Sequence, residues 1–140
     1  MPPVIPEQFN DYVVGWQEMI REERQKMRQD AQVALFTAKN LAMYLSTIPT
    51  VTRVWLFGSL AWYLRGQKNY LPQSDLDLAV EGLSPSDYFP VLSSLNNLSD
   101  RPVDLIDINH CPSSLKGVIL EKGILLYERQ GPTANLGGGN

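Results

Sequence analysis

Cysteine and histidine each occur only once in this chain of 140 residues, as Cys111 and His110. A single cysteine cannot form an internal disulfide, and one cysteine beside one histidine cannot build a zinc site of the Cys/His type. No stretch approaches the roughly 18 apolar residues of a membrane span, and the N-terminal residues lack the basic flank and apolar run of a signal peptide. We therefore expect a protein of the reducing cytoplasm with no membrane partner.

A basic excess is also missing, because 12 lysines and arginines face 15 aspartates and glutamates, for a net charge of −3. Dedicated nucleic-acid binders usually carry a marked positive charge, so the composition argues against DNA or RNA as the main partner. The chain is 44% hydrophobic, which is enough to bury a core. We expect a globular protein with one domain.

The N-terminal third is predicted to be helical, because apolar residues recur every three or four positions from Glu7 to about Thr47. Within it, the stretch Arg21 to Asp30 has only Met27 as an apolar residue. Forty helical residues would span about 60 Å, roughly twice the width of a small domain. The segment must therefore break into two helices or overhang the core, and its polar stretch is a candidate docking or oligomer surface.

The rest of the chain alternates between strand and helix patterns, which predicts an α+β fold with helices layered on a small sheet. We expect an N-terminal helical segment over residues 1–49, a core over 50–129 and a disordered tail over 130–140. The predicted strands are Val51–Phe57, Asp75–Glu81, Pro102–Ile108 and Ile124–Tyr127, and the predicted helices after the first are Ser59–Arg65, one starting at Ser84-Pro85 and Pro112–Lys122.

Two carboxylates are expected side by side on the second predicted strand. The alternation in Asp75-Leu76-Asp77-Leu78 puts Asp75 and Asp77 on one face and the leucines on the other. Their like charges would raise the pKa of one of them unless a cation lies between them. Hard divalent cations prefer oxygen ligands, and Mg²⁺ is the usual ion where phosphates complete its coordination.

A third carboxylate and a glycine-serine turn extend this candidate site. The strand Pro102–Ile108 contains Asp104 and Asp107, either of which can join the pair on the neighbouring strand. Upstream, Gly58-Ser59 ends the first strand at a predicted helix start, where glycine permits a sharp turn and free N–H groups attract anions. This turn is a candidate phosphate cradle.

Together, Gly58-Ser59, Asp75-x-Asp77 and Asp104 resemble the motifs of the DNA polymerase β-like nucleotidyltransferase superfamily, in particular its minimal nucleotidyltransferase branch. The resemblance covers roughly residues 50–128 and implies the nucleotidyltransferase fold, a small mixed sheet with helices packed on it. It also implies transfer of a nucleotide with two Mg²⁺ ions. Asp75 and Asp77 would hold both ions, and Asp104 would bind the ion nearer the acceptor and help deprotonate its hydroxyl.

The same resemblance assigns Gly58 and Ser59 to the β- and γ-phosphates of ATP. This chain departs from the family in its spacer, because fifteen residues, Leu60 to Ser74, separate Ser59 from the first aspartate, where the family has about ten. The family often has Ala-Arg-Gly soon after the serine, whereas here the Arg-Gly pair comes late, as Arg65-Gly66. Either the helix is one turn longer and Arg65 or Lys68 still reaches the triphosphate, or nucleotide binding is weakened. The first alternative makes Arg65 a further candidate for nucleotide binding.

Members of this branch commonly act as antitoxins beside a HEPN-type toxin that is encoded nearby. The resemblance therefore implies transfer of AMP from ATP to a tyrosine hydroxyl of such a toxin. Two alternatives are a non-catalytic antitoxin that neutralises its partner by binding, and an enzyme that modifies a small molecule such as an aminoglycoside.

Overall fold

The computed structural model describes residues 7–67 and 70–130 of the protein, with side chains from residue 11 onward. The tail predicted from residue 130 thus lies almost wholly outside the described residues. In chain order the elements are α1 (Glu7–Ser46), β1 (Arg53–Phe57), α2 (Gly58–Leu64), β2 (Leu76–Glu81), α3 (Tyr88–Leu98), β3 (Val103–Asp107), α4 (Ser113–Lys122) and β4 (Ile124–Glu128). A short 3₁₀ turn, Pro85–Asp87, precedes α3.

Helix α1 is continuous over 40 residues and does not break. Its C-terminal half packs on the core through a stripe of small and aliphatic residues that are almost fully buried, Ala31, Ala34, Ala38, Leu41, Ala42 and Leu45. In its N-terminal half, by contrast, Tyr12, Trp16 and Met19 each expose more than half of their surface. The overhang expected from the length of the helix is therefore present. Within the described residues, no helix is both long enough and apolar enough to cross a membrane.

The four strands form one mixed sheet in the order β3-β2-β1-β4. Strand β1 pairs antiparallel with both β2 and β4, whereas β2 and β3 are parallel. A parallel pair needs a crossover connection, and here the segment with α3 supplies it. The predicted α+β fold with a mixed sheet is confirmed, and the strand ends differ from the prediction by at most two residues.

The two faces of the sheet are covered unequally, as the period-two alternation of the strands requires. One face carries Leu76, Leu78 and Val80 of β2, which belong to the main core with α1, α2 and α3. The other face carries a smaller cluster, in which Trp55 and Ala79 pack with Ile108 and Ile119. Asp77 lies on this second face, one pleat before Ala79. It is half-buried.

A buried ion pair joins α1 to the chain just before β3. Arg101 is only 8% exposed, and its Nη1 donates to Asp30 Oδ2 at 3.0 Å. The same oxygen accepts hydrogen bonds from the Tyr70 hydroxyl at 2.5 Å and from the Gln73 N–H at 2.9 Å. Burial acts to raise the pKa of Asp30, but the hydrogen bonds from Arg101 and Tyr70 outweigh it and hold the pKa below its ordinary value.

This network fixes the loop that precedes β2 as well as the chain before β3. Tyr70, at 1% exposure, and Gln73 lie in the spacer between Ser59 and Asp75. The Leu76 N–H then donates to the Pro102 carbonyl at 2.9 Å, which joins the starts of the two parallel strands. The long spacer is thus anchored on α1 by its second half.

We predict that Arg101→Met lowers the free energy of unfolding by about 3 kcal/mol, because it leaves the Asp30 carboxylate without its cation in a poorly hydrated place. Urea denaturation followed by circular dichroism measures the change. The control is Lys26→Met, which removes the exposed Lys26–Glu23 pair at 3.8 Å and should cost less than about 1 kcal/mol. Equal losses for the two variants would show that the Arg101 pair contributes no more than a surface pair.

Candidate active site

Asp77 and Asp104 are directly opposite each other on the parallel strands β2 and β3. Neighbouring strands lie about 4.8 Å apart, so the two side chains leave the same face of the sheet as neighbours. Asp75 comes two residues before Asp77, just ahead of the strand, and is exposed like Asp104. The structure therefore places Asp104 beside Asp77 and brings Asp75 close enough for its charge to act on Asp77.

The closeness of these carboxylates contributes to a raised pKa of Asp77. Burial, followed by the negative charges of Asp104 and Asp75, raises that pKa from 3.8 to about 6. The cost of ionising Asp77 is what the sequence predicted for an uncompensated aspartate pair. A cation placed among these oxygens would remove this cost.

Gly58 packs directly against the Asp77 carboxylate. A Cβ atom at position 58 would lie 2.0 Å from Asp77 Oδ2, a distance that no side chain can occupy. Gly58 also has a φ of +80°, which L-residues with side chains rarely adopt. Only glycine satisfies both conditions, so the turn between β1 and α2 is fitted to the carboxylate beside it.

Ser59 follows Gly58 in the first turn of α2 and is half-buried. Its Oγ lies 3.4 Å from Ser74 Oγ, at the end of the spacer and next to Asp75. The glycine-serine turn and the carboxylates thus form one continuous site. It is built from the β1–α2 turn, the start of β2 and the start of β3.

The register between β2 and β3 also decides between the two aspartates of β3. Asp107 stands opposite Val80, three residues beyond Asp104. Its carboxylate accepts from the Asn109 N–H at 3.0 Å and lies 2.8 Å from His110 Nδ1. Asp107 therefore organises the turn after β3, and Asp104 is the carboxylate that lies beside Asp77.

Arg65 is not placed with the other predicted site residues. Its Nε donates to the Lys122 carbonyl at 2.7 Å and its Nη2 to the Gly123 carbonyl at 2.8 Å, so it binds the C-terminal end of α4. These contacts do not support a role for Arg65 at the triphosphate. Lys68, the other cation considered for that role, lies outside the described residues.

Three residues outside the predicted site hold the spacer and the starts of both carboxylate-bearing strands. They are Asp30, Tyr70 and Arg101. One signal was available, because an arginine directly before an apolar strand needs a buried partner if it is itself buried. Nothing in the local pattern around Asp30 distinguishes it from the exposed acids of α1. Its partner lies 71 residues away.

The donor set of the three aspartates suits a hard divalent cation, since it consists only of carboxylate oxygens. The raised pKa of Asp77 supports this fit, because a cation would offset the burial and the neighbouring negative charges that raise it. In the part of the chain that the structure describes, no three acidic, histidine or cysteine side chains are gathered closely enough to hold an ion by themselves. Oxygens from a bound phosphate would have to complete the coordination.

The chain matches a known protein family over most of its length. Residues 39–131 match the family described as "Polymerase beta, Nucleotidyltransferase". The chain belongs to this family of nucleotidyltransferases, and the resemblance inferred from Gly58-Ser59, Asp75-x-Asp77 and Asp104 is confirmed. No match was found among the curated proteins.

Solved structures with the same fold include chains from toxin–antitoxin complexes. A toxin–antitoxin structure with AMP-PNP matches at 25% identity and a TM-score of 0.52, over 67% of this chain and 74% of that chain. The toxin–antitoxin MntA–HepT matches at 23% identity and a TM-score of 0.50, over 73% of this chain and 77% of that one.

A third match is the tri-AMPylated Shewanella oneidensis HEPN toxin in complex with MNT antitoxin. Its identity is 22% and its TM-score 0.50, over 71% of this chain and 74% of that chain. At such identities the MntA–HepT and Shewanella matches show the fold alone.

We predict that Asp77→Asn is more stable than wild type at neutral pH in the absence of metal. The pKa of Asp77 is raised in the folded state, so the wild type loses stability as pH rises from about 4 through about 6. The side chain is partly solvated, so the gain should be about 1–2 kcal/mol at pH 7.5 and should vanish below about pH 4.

Urea denaturation at the two pH values, in a chelator, measures this effect. The control is Asp87→Asn, an exposed carboxylate of the 3₁₀ turn outside the carboxylate cluster, which should not gain stability at neutral pH. A loss of stability in Asp77→Asn at neutral pH would contradict the carboxylate repulsion.

Proposed function

We propose that this protein is an antitoxin enzyme that transfers AMP from ATP to a tyrosine hydroxyl of a partner HEPN-type toxin. The observation that supports it most is the register that places Asp77 beside Asp104, with Gly58 packed against the Asp77 carboxylate. The family supports the reaction class. The AMP-PNP complex and the AMPylated HEPN toxin, both found with similar folds, support the nucleotide and the acceptor.

The triphosphate of ATP would lie at the turn between β1 and α2. Gly58, with its φ of +80°, makes the sharp turn at the start of α2, and the Ser59 hydroxyl can donate a hydrogen bond to a phosphate oxygen. Because Ser59 is within reach of Ser74, a phosphate held there would lie close to Asp75. Gly58 and Ser59 would then hold the β- and γ-phosphates, as the family resemblance implies.

Asp75, Asp77 and Asp104 would hold two Mg²⁺ ions together with the phosphate oxygens. When bound, Mg²⁺ offsets the charge of the triphosphate and stabilises the attacking and leaving oxygens of the displacement. Asp77 is fixed by its packing against Gly58 and by its position within β2, so its oxygens need little rearrangement. Asp104 and Asp75 are exposed and can adjust to the nucleotide.

In the transfer step the acceptor hydroxyl oxygen would form a bond to the α-phosphorus while the bond to the β-phosphate breaks and pyrophosphate leaves. The hydroxyl must lose its proton in this step. Asp104 is the exposed member of the pair on β2 and β3 and can accept that proton from an incoming side chain.

The test uses this protein, ATP, Mg²⁺ and the helical partner that we expect to be encoded beside it, with intact mass spectrometry as the measurement. We expect the partner to gain the mass of one or more adenylyl groups. Asp77→Asn should abolish the gain in mass. Asparagine has the same size as aspartate, so the fold stays intact, but the variant lacks the carboxylate that would bind the metal. Asp107→Asn is the matched control on β3 and should retain the transfer.

Two outcomes would contradict the proposal. If Asp77→Asn adds as much mass as wild type, the carboxylate cluster is not the catalytic site. If neither wild type nor Asp77→Asn adds mass to the partner, and both silence it equally, the protein neutralises its partner by binding alone. The position of Arg65, bound to α4 carbonyls, is the feature that favours this second function.

A further inference from the structure

Three arginines form a row on the overhanging half of α1. Arg21, Arg24 and Arg28 are separated by three and four residues, so they lie on one side of the helix within about 10 Å along its axis. In the described residues, none of the three guanidinium groups is within 4 Å of a carboxylate. Of the acids nearby, Glu23 pairs with Lys26 and Asp30 pairs with Arg101.

The row borders a groove, which we call the arginine groove. One part, of about 560 Å³, lies between Arg24, Met27 and Arg28 of α1 and the residues Tyr63, Gly66 and Gln67 at the end of α2. The adjoining part, of about 380 Å³, is lined by Gln17, Ile20 and all three arginines. Arg24 and Arg28 line both parts, so the groove runs along the helix from the core into the overhang.

The apolar floor of this groove continues the buried stripe of α1. Ile20 and Met27 are half-buried and precede Ala31 at helical spacing. In the C-terminal half the same stripe packs on the sheet. N-terminal to Met27, no part of the described core covers the stripe. The groove therefore presents apolar side chains flanked by positive charge.

Nucleotidyl transfer does not account for the arginine groove. The family match begins at residue 39, after the three arginines. The groove also lies at the end of α2 opposite Gly58, which puts the length of that seven-residue helix, about 10 Å, between it and the carboxylates. The arginine groove therefore lies apart from the carboxylate site.

We propose that the arginine groove binds an acidic amphipathic helix of a partner protein. Acidic residues at positions i, i+3 and i+7 of such a helix repeat the spacing of Arg21, Arg24 and Arg28, because both helices rise 1.5 Å per residue. Apolar residues between those acids would pack on Ile20 and Met27, as amphipathic helices do in grooves. The proposed function supplies the partner, the acceptor protein, so the inference rests on it for the partner's identity but not for the groove.

Two other occupants are less consistent with the molecule. The net charge of −3 opposes a long nucleic acid, which needs a wide positive field rather than one short row. A second copy could offer Glu18 and Glu22 of its own α1 in a closed two-fold contact. These two acids cannot match all three arginines.

The test is fluorescence anisotropy with a labelled helical peptide that has leucines at three-four spacing and glutamates at i, i+3 and i+7. We expect wild type to bind it and to bind more weakly as salt rises. Arg24→Gln with Arg28→Gln should weaken binding about fivefold to tenfold, the scale of two partly exposed ion pairs. Lys26→Gln with Lys39→Gln changes the charge of the same helix equally and should leave binding unchanged.

Asp77→Asn separates this inference from the proposed function, because it should bind the peptide like wild type while failing to transfer AMP. Equal weakening by the two double variants, or equal binding of a peptide with lysines in place of the glutamates, would overturn the proposal. So would no binding at millimolar peptide. Tighter binding of a single-stranded RNA, lost in the arginine variant, would identify the groove as a nucleic-acid site instead. A dimer in ultracentrifugation that the arginine variant does not form would identify a second copy.

Discussion

The parallel pairing of β2 with β3 is the constraint on which the rest of the site depends. It sets Asp77 beside Asp104 on one face of the sheet, where burial and like charge raise the pKa of Asp77 to about 6. A protein gains no stability from such an arrangement. The carboxylates are held in place by the apolar alternation of the two strands, whose other face belongs to the main core. Core packing thus fixes a charge cluster that would otherwise spread apart.

The two halves of helix α1, before and after Asp30, have different roles. From Asp30 onward it is part of the fold, because its alanine and leucine stripe covers the sheet and its ion pair with Arg101 fixes the chain before β3. Through Tyr70 and Gln73 the same carboxylate holds the spacer that leads to Asp75. Before Asp30 the helix has few contacts with the core. We infer that this half serves a partner rather than the fold.

Much of the fold could be predicted from the sequence because each element has a local pattern. Alternation placed Asp75 and Asp77 on one face, and glycine before serine marked the turn at Gly58. The strand pattern left both Asp104 and Asp107 open, and the family resemblance selected Asp104. The register with β2 places Asp104 beside Asp77. The hydrogen bonds of Arg65 could not be predicted either. They depend on where the C-terminal end of α4 lies, and long-range packing sets that position.

We propose that Asp75, Asp77 and Asp104 form a nucleotide site that requires a divalent cation. Calorimetric titration of ATP into the protein, with and without Mg²⁺, tests this requirement. Because the uncompensated carboxylates repel the triphosphate, we expect Mg²⁺ to raise the affinity at least about tenfold, or 1.4 kcal/mol. Equal affinity with and without Mg²⁺ would contradict the assignment of these three aspartates to a metal-dependent site.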